Sequence, residues 1–172
     1  VENCLCEQTI PNSGHSDNDY IAGIDFMGVT NVIIRNNVFH GIKGPTGGGR
    51  AAIFIWHHNT NPTIEKNVIY DCDRGISLSN PGWAGPGPAS TGGIIRNNFI
   101  TRGVNIALEL CFTDSLKVYY NTIYSEDASY WRTVSIYDSG SIYVTNNLQV
   151  YYNIIRGAIN NGSAGSSVRP AR

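Results

Sequence analysis

The chain has 172 residues, with 12 Lys and Arg against 13 Asp and Glu, and a formal net charge of −1. This charge argues against a general nucleic-acid binder, which is usually basic. No run of about 18 apolar residues occurs, which argues against a membrane span. Nineteen glycines and only 15% charged residues are typical of many short strands joined by tight turns.

The chain opens on VENCL (1–5), which resembles the end of a repeat described below. We therefore expect a fragment of a longer solenoid or a processed product. The next polar segment, HSDNDY (15–20), offers oxygen ligands of the kind that bind calcium. Its spacing lacks the EF-hand pattern, so we interpret it as a solvated loop and keep calcium only as a candidate cofactor.

Five further segments share one pattern, in which an Asn follows an aliphatic residue by three positions and precedes an apolar residue by two. The segments are VIIRNNVF (32–39), PTIEKNVI (62–69), GGIIRNNFI (92–100), LKVYYNTI (116–123) and IYVTNNLQ (142–149). The pattern predicts an Asn column at Asn3, Asn37, Asn67, Asn98, Asn121 and Asn147. The residues that accompany it are aliphatic before the Asn, at Ile34, Ile64, Ile95, Val118 and Val144, and apolar after it, at Leu5, Phe39, Ile69, Ile100 and Ile123, with Gln149 breaking the second set.

The Asn residues are spaced by 23 to 34 positions. Coils of short strands tolerate such loops of unequal length, whereas helical repeats keep their lengths more strictly. Asn accepts the left-handed backbone of a sharp bend, and its amide can bond to the next Asn in a stack. We therefore predict a structural Asn ladder between stacked strands.

A second set of strands lies between the Asn segments, with apolar residues alternating along each strand. The strands are GIDFMG (23–28), AAIFIWH (51–57), GISLSN (75–80), GVNIALEL (103–110), TVSIYD (133–138) and GAIN (157–160). The predicted inward residues are Ile24, Phe26, Ile53, Ile55, Ile76, Leu78, Ile106, Leu108, Val134 and Ile136. Stacking of the coils would join these side chains into one core.

On these repeats the chain resembles the right-handed parallel β-helix superfamily typified by pectate lyases, and in particular its proteins with short Ile-x-x-Asn-x-Ile coils. The resemblance covers nearly the whole chain. It implies an all-β, right-handed parallel β-helix solenoid of about five to six coils over residues 1–160, followed by a loose polar tail over 161–172. It also implies a secreted or cell-surface protein associated with carbohydrate, although the fold alone does not specify the function.

The outward residues of the second set of strands form a predicted surface stripe, the face on which members of this superfamily usually carry their groove. From the stripe we take Asp25, Trp56, Glu109 and Tyr137 as candidate substrate-binding residues, because aromatic and polar groups together suit sugars. The alternative is that the loop over 80–92, which contains Trp83, covers Phe54 and Trp56. The sequence leaves both interpretations open.

Four arginines recur just before predicted strands and could form a column: Arg50, Arg74, Arg102 and Arg156. They would either recognise the carboxylates of a uronate polymer or pair with Asp71 and Asp73. His58 shares the parity of Trp56 and is the candidate general base. If the chain is catalytic, we expect a polysaccharide lyase working by β-elimination, with His58 abstracting the proton and Arg50 and Arg74 stabilising the charge.

The alternative to an enzyme is a non-catalytic structural or binding solenoid, such as a fibre, tailspike or cell-surface module, that stacks end to end with another coil or chain. The cysteines match no zinc motif, and we predict no metal site from them. They are expected to be mainly buried free thiols, with one disulfide left open. They are Cys4, Cys6, Cys72 and Cys111.

Overall fold

A computed structural model describes residues 1–9, 19–79, 81, 83, 85–101, 106–126, 132–137, 143–162 and 165–168. In these ranges no helix is long and apolar enough to cross a membrane. The strands are β1 (Leu5–Glu7), β2 (Ala22–Phe26), β3 (Ile33–Arg35), β4 (Val38–His40), β5 (Ala51–Ile55), β6 (Asn59–Thr60), β7 (Thr63–Glu65), β8 (Val68–Tyr70), β9 (Arg74–Leu78), β10 (Ser90–Thr91), β11 (Ile94–Arg96), β12 (Phe99–Thr101), β13 (Ile106–Leu110), β14 (Thr113–Asp114), β15 (Lys117–Tyr119), β16 (Thr122–Tyr124), β17 (Val134–Ile136), β18 (Asn146–Tyr151), β19 (Ile154–Arg156), β20 (Ile159–Asn161) and β21 (Gly165–Val168).

The strands stack in three parallel sheets that run the length of a solenoid. The first sheet has the order β1-β4-β8-β12-β16-β19, and the second has the order β2-β5-β9-β13-β17-β20. The third contains β3, β7, β11, β15 and β18, with β6, β10 and β14 beside them and β21 paired to β18. The predicted fold class is therefore confirmed. Four interior turns have strands paired on both sides in every sheet, slightly fewer than the five to six coils expected.

Stacked aliphatic side chains fill the inside of the solenoid. In the third sheet the buried column is Ile34, Ile64, Ile95, Val118 and Val150, and in the first sheet it is Phe39, Ile69, Ile100 and Ile123. Burial of each such side chain stabilises the fold by roughly 1.5–3 kcal/mol. Because a coil exposes its apolar residues on both open sides, each coil depends on its neighbours.

The last coil was aligned wrongly from the sequence. Tyr151 pairs with Tyr119, so the repeat there is LQVYYNII (148–155) and its ladder residue is Asn153. Asn147 is exposed and lies at an earlier bend, and Val144 and Gln149 are likewise exposed and outside the two core columns. The pair Asn146–Asn147 matches the ladder motif in sequence, and only the strand register distinguishes Asn147 from the true ladder residue, Asn153.

The first coil shows a one-residue error of the same kind. Leu5 pairs with Val38, and Cys6 pairs with Phe39. Cys4 therefore occupies the ladder position, and Asn3 is the exposed residue before it. Leu5, expected in the core, is 66% exposed.

The ladder itself is formed by Asn37, Asn67, Asn98, Asn121 and Asn153. Each Nδ2 donates to the Oδ1 of the next Asn at 2.9–3.0 Å, and that Oδ1 also accepts the backbone N–H of the preceding ladder residue. The left-handed backbone expected of these asparagines belongs instead to the residue before each one. Those residues are Asn36, Lys66, Asn97, Tyr120 and Tyr152, with φ between 53° and 57°.

In the second sheet the inward residues are as predicted except in β13. Leu108 pairs with Ile76 and Leu110 with Leu78, so Leu108 and Leu110 form the inward pair. Ile106 instead pairs with Arg74. Ile106 has the same parity and is buried, but it lies at the start of β13, one inward position before that pair.

The four cysteines are free thiols. Cys72 and Cys111 are buried, Cys6 is partly buried and Cys4 is exposed. Burial is the main cause that raises the pKa of the Cys72 thiol to about 12. These two buried thiols therefore act as small apolar side chains.

Candidate functional site

The outward side of the second sheet carries one row of aligned residues across five layers. The row is Asp25, Phe54, Ser77, Glu109 and Ser135. Asp25 is exposed, but the other four are at most 2% exposed. The predicted stripe is therefore present in register, but it is a covered face with exposed residues toward its margins.

A buried ion pair lies at the centre of this face. Arg74 Nη1 is 2.7 Å from Glu109 Oε2, and the Ser77 hydroxyl donates to the same oxygen at 3.0 Å. The side chain of Glu109 is 2% exposed and that of Arg74 is 22% exposed. A carboxylate removed from water needs such partners, and Arg74 and Ser77 supply them to Glu109.

The aspartates that were expected to pair with arginine have other partners. Asp73 accepts the backbone N–H groups of Gly44 and Gly49 at 2.7 and 2.9 Å, which fixes the loop between them. Asp71 binds Lys43 at 2.6 Å. Asp73 and Asp71 are therefore held by the loop backbone and by Lys43, and not by an arginine of the predicted column.

Asp19 holds the same loop from its other side. It accepts hydrogen bonds from the backbone N–H and the hydroxyl of Thr46. The hydroxyl bond is the largest cause that lowers the pKa of Asp19. Residues 15–18 of the segment HSDNDY, interpreted above as a solvated loop with calcium as a candidate, lie outside the described residues, and within the described part of the chain no group of three or more His, Cys, Asp or Glu could hold a metal ion.

Arg50 lies at the open edge of the face. Its guanidinium carbon is 4.8 Å from the ring centre of Tyr20 and 6.0 Å from that of Phe54. Among the described residues, no carboxylate lies within ion-pair distance of Arg50. Arg50 is therefore a cation positioned by aromatic rings, without an ion-pair partner in the described part of the chain.

Tyr20 is the neighbour of Arg50 that sequence reasoning missed. It is 46% exposed and hydrogen-bonds Asp25. Burial, followed by the charge of Asp25, raises the pKa of Tyr20, so the phenol remains protonated and serves as a donor rather than a base. Its position directly before the strand that contains Asp25 was the only signal available.

His58 is not brought together with the arginines. Arg50 precedes β5 and His58 follows it, and a five-residue strand at about 3.3 Å per residue keeps them more than about 15 Å apart along the backbone. His58 is exposed and meets Trp83 edge to face at 5.2 Å. The predicted elimination site of His58, Arg50 and Arg74 is therefore not assembled.

The position of Trp83 bears on the alternative interpretation, in which the loop over 80–92 covers Phe54 and Trp56. Its ring stacks on His57 at 4.9 Å and 21°, beside the partly buried Trp56. Burial, followed by the charge of His58, lowers the pKa of His57. Trp83 thus covers His57 after the end of β5, while His58 remains exposed.

The remaining predicted site residues are dispersed. Tyr137 is exposed just after β17, at the far margin of the second sheet. Arg156 lies in the first sheet, where its guanidinium carbon is 4.6 Å from the ring centre of Tyr124. The predicted arginine column is therefore wrong, because Arg156 occupies a different sheet from Arg50 and Arg74; Arg102 lies outside the described residues.

Comparison with known proteins bears on the family alone. No curated protein and no solved structure shows a significant match to the chain. A family model described as a right-handed β-helix region matches residues 2–149. Together with the three parallel sheets, that match shows that the chain belongs to the right-handed β-helix family.

Proposed function

We propose that this β-helix binds an acidic polysaccharide at the edge of the second sheet, through Arg50 and Tyr20, with Arg74 beside them. The observation that carries the proposal is the Arg50 guanidinium held over Tyr20 at 4.8 Å without a carboxylate partner among the described residues. A planar guanidinium bonds carboxylates through two parallel N–H donors, and an aromatic ring covers the apolar face of a sugar. A secreted or cell-surface location would accompany such a ligand.

The geometry supports binding better than β-elimination. Elimination needs a base beside the groups that neutralise the uronate carboxylate. His58 stands at the opposite end of β5 from Arg50, and the raised pKa of Tyr20 leaves that phenol protonated. Arg74 is already engaged by Glu109. The proposal is therefore a binding module, with polysaccharide lyase activity as the alternative that the same experiment examines.

The experiment measures binding of pectate, alginate, chondroitin sulfate and hyaluronan by titration calorimetry. We expect Arg50→Gln to weaken binding of the preferred polymer roughly tenfold, the scale of one charge-assisted contact. The matched control is Arg156→Gln, because Arg156 lies over Tyr124 in the same way but on another sheet. The Arg156→Gln variant and the wild-type protein should bind the preferred polymer with the same affinity.

Ultraviolet absorbance of unsaturated uronate ends is followed in the same samples, and we expect no increase. An increase that disappears in His58→Ala would replace the binding proposal with a lyase. If folded wild-type protein binds none of the polymers, or if both arginine variants lose affinity equally, the proposal is wrong and a purely structural solenoid remains.

A further inference from the structure

A row of exposed side chains runs along the outer corner between the third and first sheets. We call it the corner strip: Asn36, Lys66, Asn97, Tyr120 and Tyr152. Each member is the left-handed residue that precedes a ladder Asn, so the ladder fixes the spacing of the strip at one residue per coil. Every member carries a hydrogen-bond donor, and none carries a carboxylate.

The tyrosines at one end of the strip are held in fixed positions. The rings of Tyr120 and Tyr152 are parallel within 13° at 5.8 Å, and Tyr119 and Tyr151 stack behind them at 5.2 Å. Tyr120 and Tyr152 are nevertheless each 57% exposed. One face of each ring is turned toward the other, and the phenol groups and ring edges are open to a partner.

Lys66 is the charged member of the strip, so the strip is positive although the chain as a whole has a net charge of −1. Glu65, its neighbour in the chain, is 8% exposed and is engaged by Arg96 at 2.7 Å, and Glu2 is paired with Arg35 at 3.0 Å. Lys66 itself has no ion-pair partner among the described residues. Charge complementarity therefore favours an anionic partner.

The shape of the strip favours an extended polymer with hydroxyl and carboxylate groups. Donors recur once per coil, at about 4.8 Å, along a straight line. A single-stranded nucleic acid would stack its bases on aromatic faces along the strand, whereas among the strip residues only Tyr120 and Tyr152 carry a ring, and one face of each is turned toward the other. A protein partner would need a buried apolar anchor at the centre, where the strip has Lys66 and Asn97 instead.

We infer that the corner strip binds a segment of an acidic polysaccharide along the solenoid axis, so that one molecule holds two polymer segments on different faces. The ligand class rests on the proposed function, whereas the site shares no residue with Arg50, Tyr20 or Arg74. Two sites on one rigid solenoid would make the protein a cross-linker of polysaccharide chains.

The test uses the whole chain and two probes, oligogalacturonate and oligomannuronate, in titration calorimetry that yields the number of sites. We expect two equivalents for wild-type protein. The double variant Tyr120→Ala with Tyr152→Ala, and separately Lys66→Gln, should weaken one of the two roughly tenfold. Tyr124→Ala is the matched control, since Tyr124 is 45% exposed in the same coil but outside the strip. Thermal unfolding checks that every variant is folded, and Lys66→Gln keeps the test decisive if the tyrosine variant unfolds.

The outcomes for the two sites are distinguishable. Suppose that wild-type protein binds one equivalent of oligosaccharide and that this binding is lost in Arg50→Gln but unchanged in the strip variants. That result overturns the inference about the corner strip and leaves the proposed function. One equivalent that is lost only in the strip variants keeps the strip and overturns the site at Arg50. No binding of either probe, or equal loss in Tyr124→Ala, overturns the inference as well.

Discussion

Two internal corners of the solenoid differ in how they satisfy their polar groups. In the ladder corner the side chains from Asn37 to Asn153 are all Asn, and Cys4 takes that position in the first coil. In the other corner, which we call the second polar column, the aligned residues are Asn59, Ser90, Thr113 and Thr145. Two of these four follow the same left-handed bend as the ladder residues, because His58 and Phe112 have φ of 58° and 51°.

The hydrogen bonding of the two corners is unequal. Ladder amides bond to one another and to backbone carbonyls along the whole stack. In the second polar column Asn59 Nδ2, Ser90 Oγ and Thr113 Oγ1 are buried without a partner. One residue type repeated in register can bond to its copy in the next coil, whereas a mixed column cannot.

The largest effect is expected from Asn98→Leu, which interrupts the ladder at its centre. The substitution removes the acceptor for both the N–H and the Nδ2 of Asn67, and it removes the donor to Ile64 O. Buried groups without partners cost about 1–3 kcal/mol each, so we expect a loss of about 4 kcal/mol in the free energy of unfolding. Urea unfolding followed by circular dichroism measures it.

The control for that prediction is the residue next to Asn98 in the chain. Asn97 is exposed with a φ of 56°, a conformation that glycine adopts without strain. Asn97→Gly should change stability by less than about 1 kcal/mol. Equal losses at positions 97 and 98 would show that the bend, and not the amide ladder, provides the stability.

The opposite sign is expected in the second polar column. Thr113 Oγ1 has no partner, and valine has nearly the same shape without the hydroxyl. Thr113→Val should therefore raise the free energy of unfolding by about 1 kcal/mol, while the Thr113 N–H still donates to Thr145 Oγ1 at 3.3 Å. A loss of stability in the same urea series would mean that the hydroxyl is satisfied in solution and that the two corners are equivalent.

The same contrast explains which parts of the fold the sequence could predict. Apolar alternation and the recurring Asn identified the strands and the class of fold, because both follow from the geometry of a single coil. Register across coils was harder, since Asn147 and Asn3 satisfy the local pattern but Asn153 and Cys4 occupy the ladder position. Only pairing with the neighbouring strand distinguishes them.

The candidate site was predicted in part for the same reason. Strand parity placed Asp25 and Glu109 on one face, and the register confirms that placement. Parity could not show that Glu109 is buried with Arg74, because it gives the face on which a residue lies and not the register between strands of different coils. It could not show that Arg50 lies over Tyr20, because both residues precede their strands, in segments whose lengths follow no repeat.

Extending the ladder by one coil should raise the free energy of unfolding, by less than the changes predicted above. The N–H of Cys4 already donates to Asn37 Oδ1 at 3.0 Å, so an Asn at this position could add a donor from its side chain. Cys4→Asn should stabilise the fold by about 0.5 kcal/mol, a reduced value because the position is exposed. Cys4→Ser is the control, since its side chain is too short to extend the ladder. An equal gain from serine would mean that loss of the thiol, and not the ladder, is the cause.

The smallest effect concerns pH and is expected at the second corner, where His57 and His58 precede Asn59. Burial, followed by the charge of His58, lowers the pKa of His57 in the folded chain. The unfolded chain therefore takes up the proton first, and the fold loses stability as pH falls below the unfolded pKa of about 6.5. His57→Phe retains a ring against Trp83 and should lose less stability between about pH 7.5 and pH 5. Urea midpoints measured at both pH values make the comparison, and an equal fall in the two proteins would assign the pH dependence to another group.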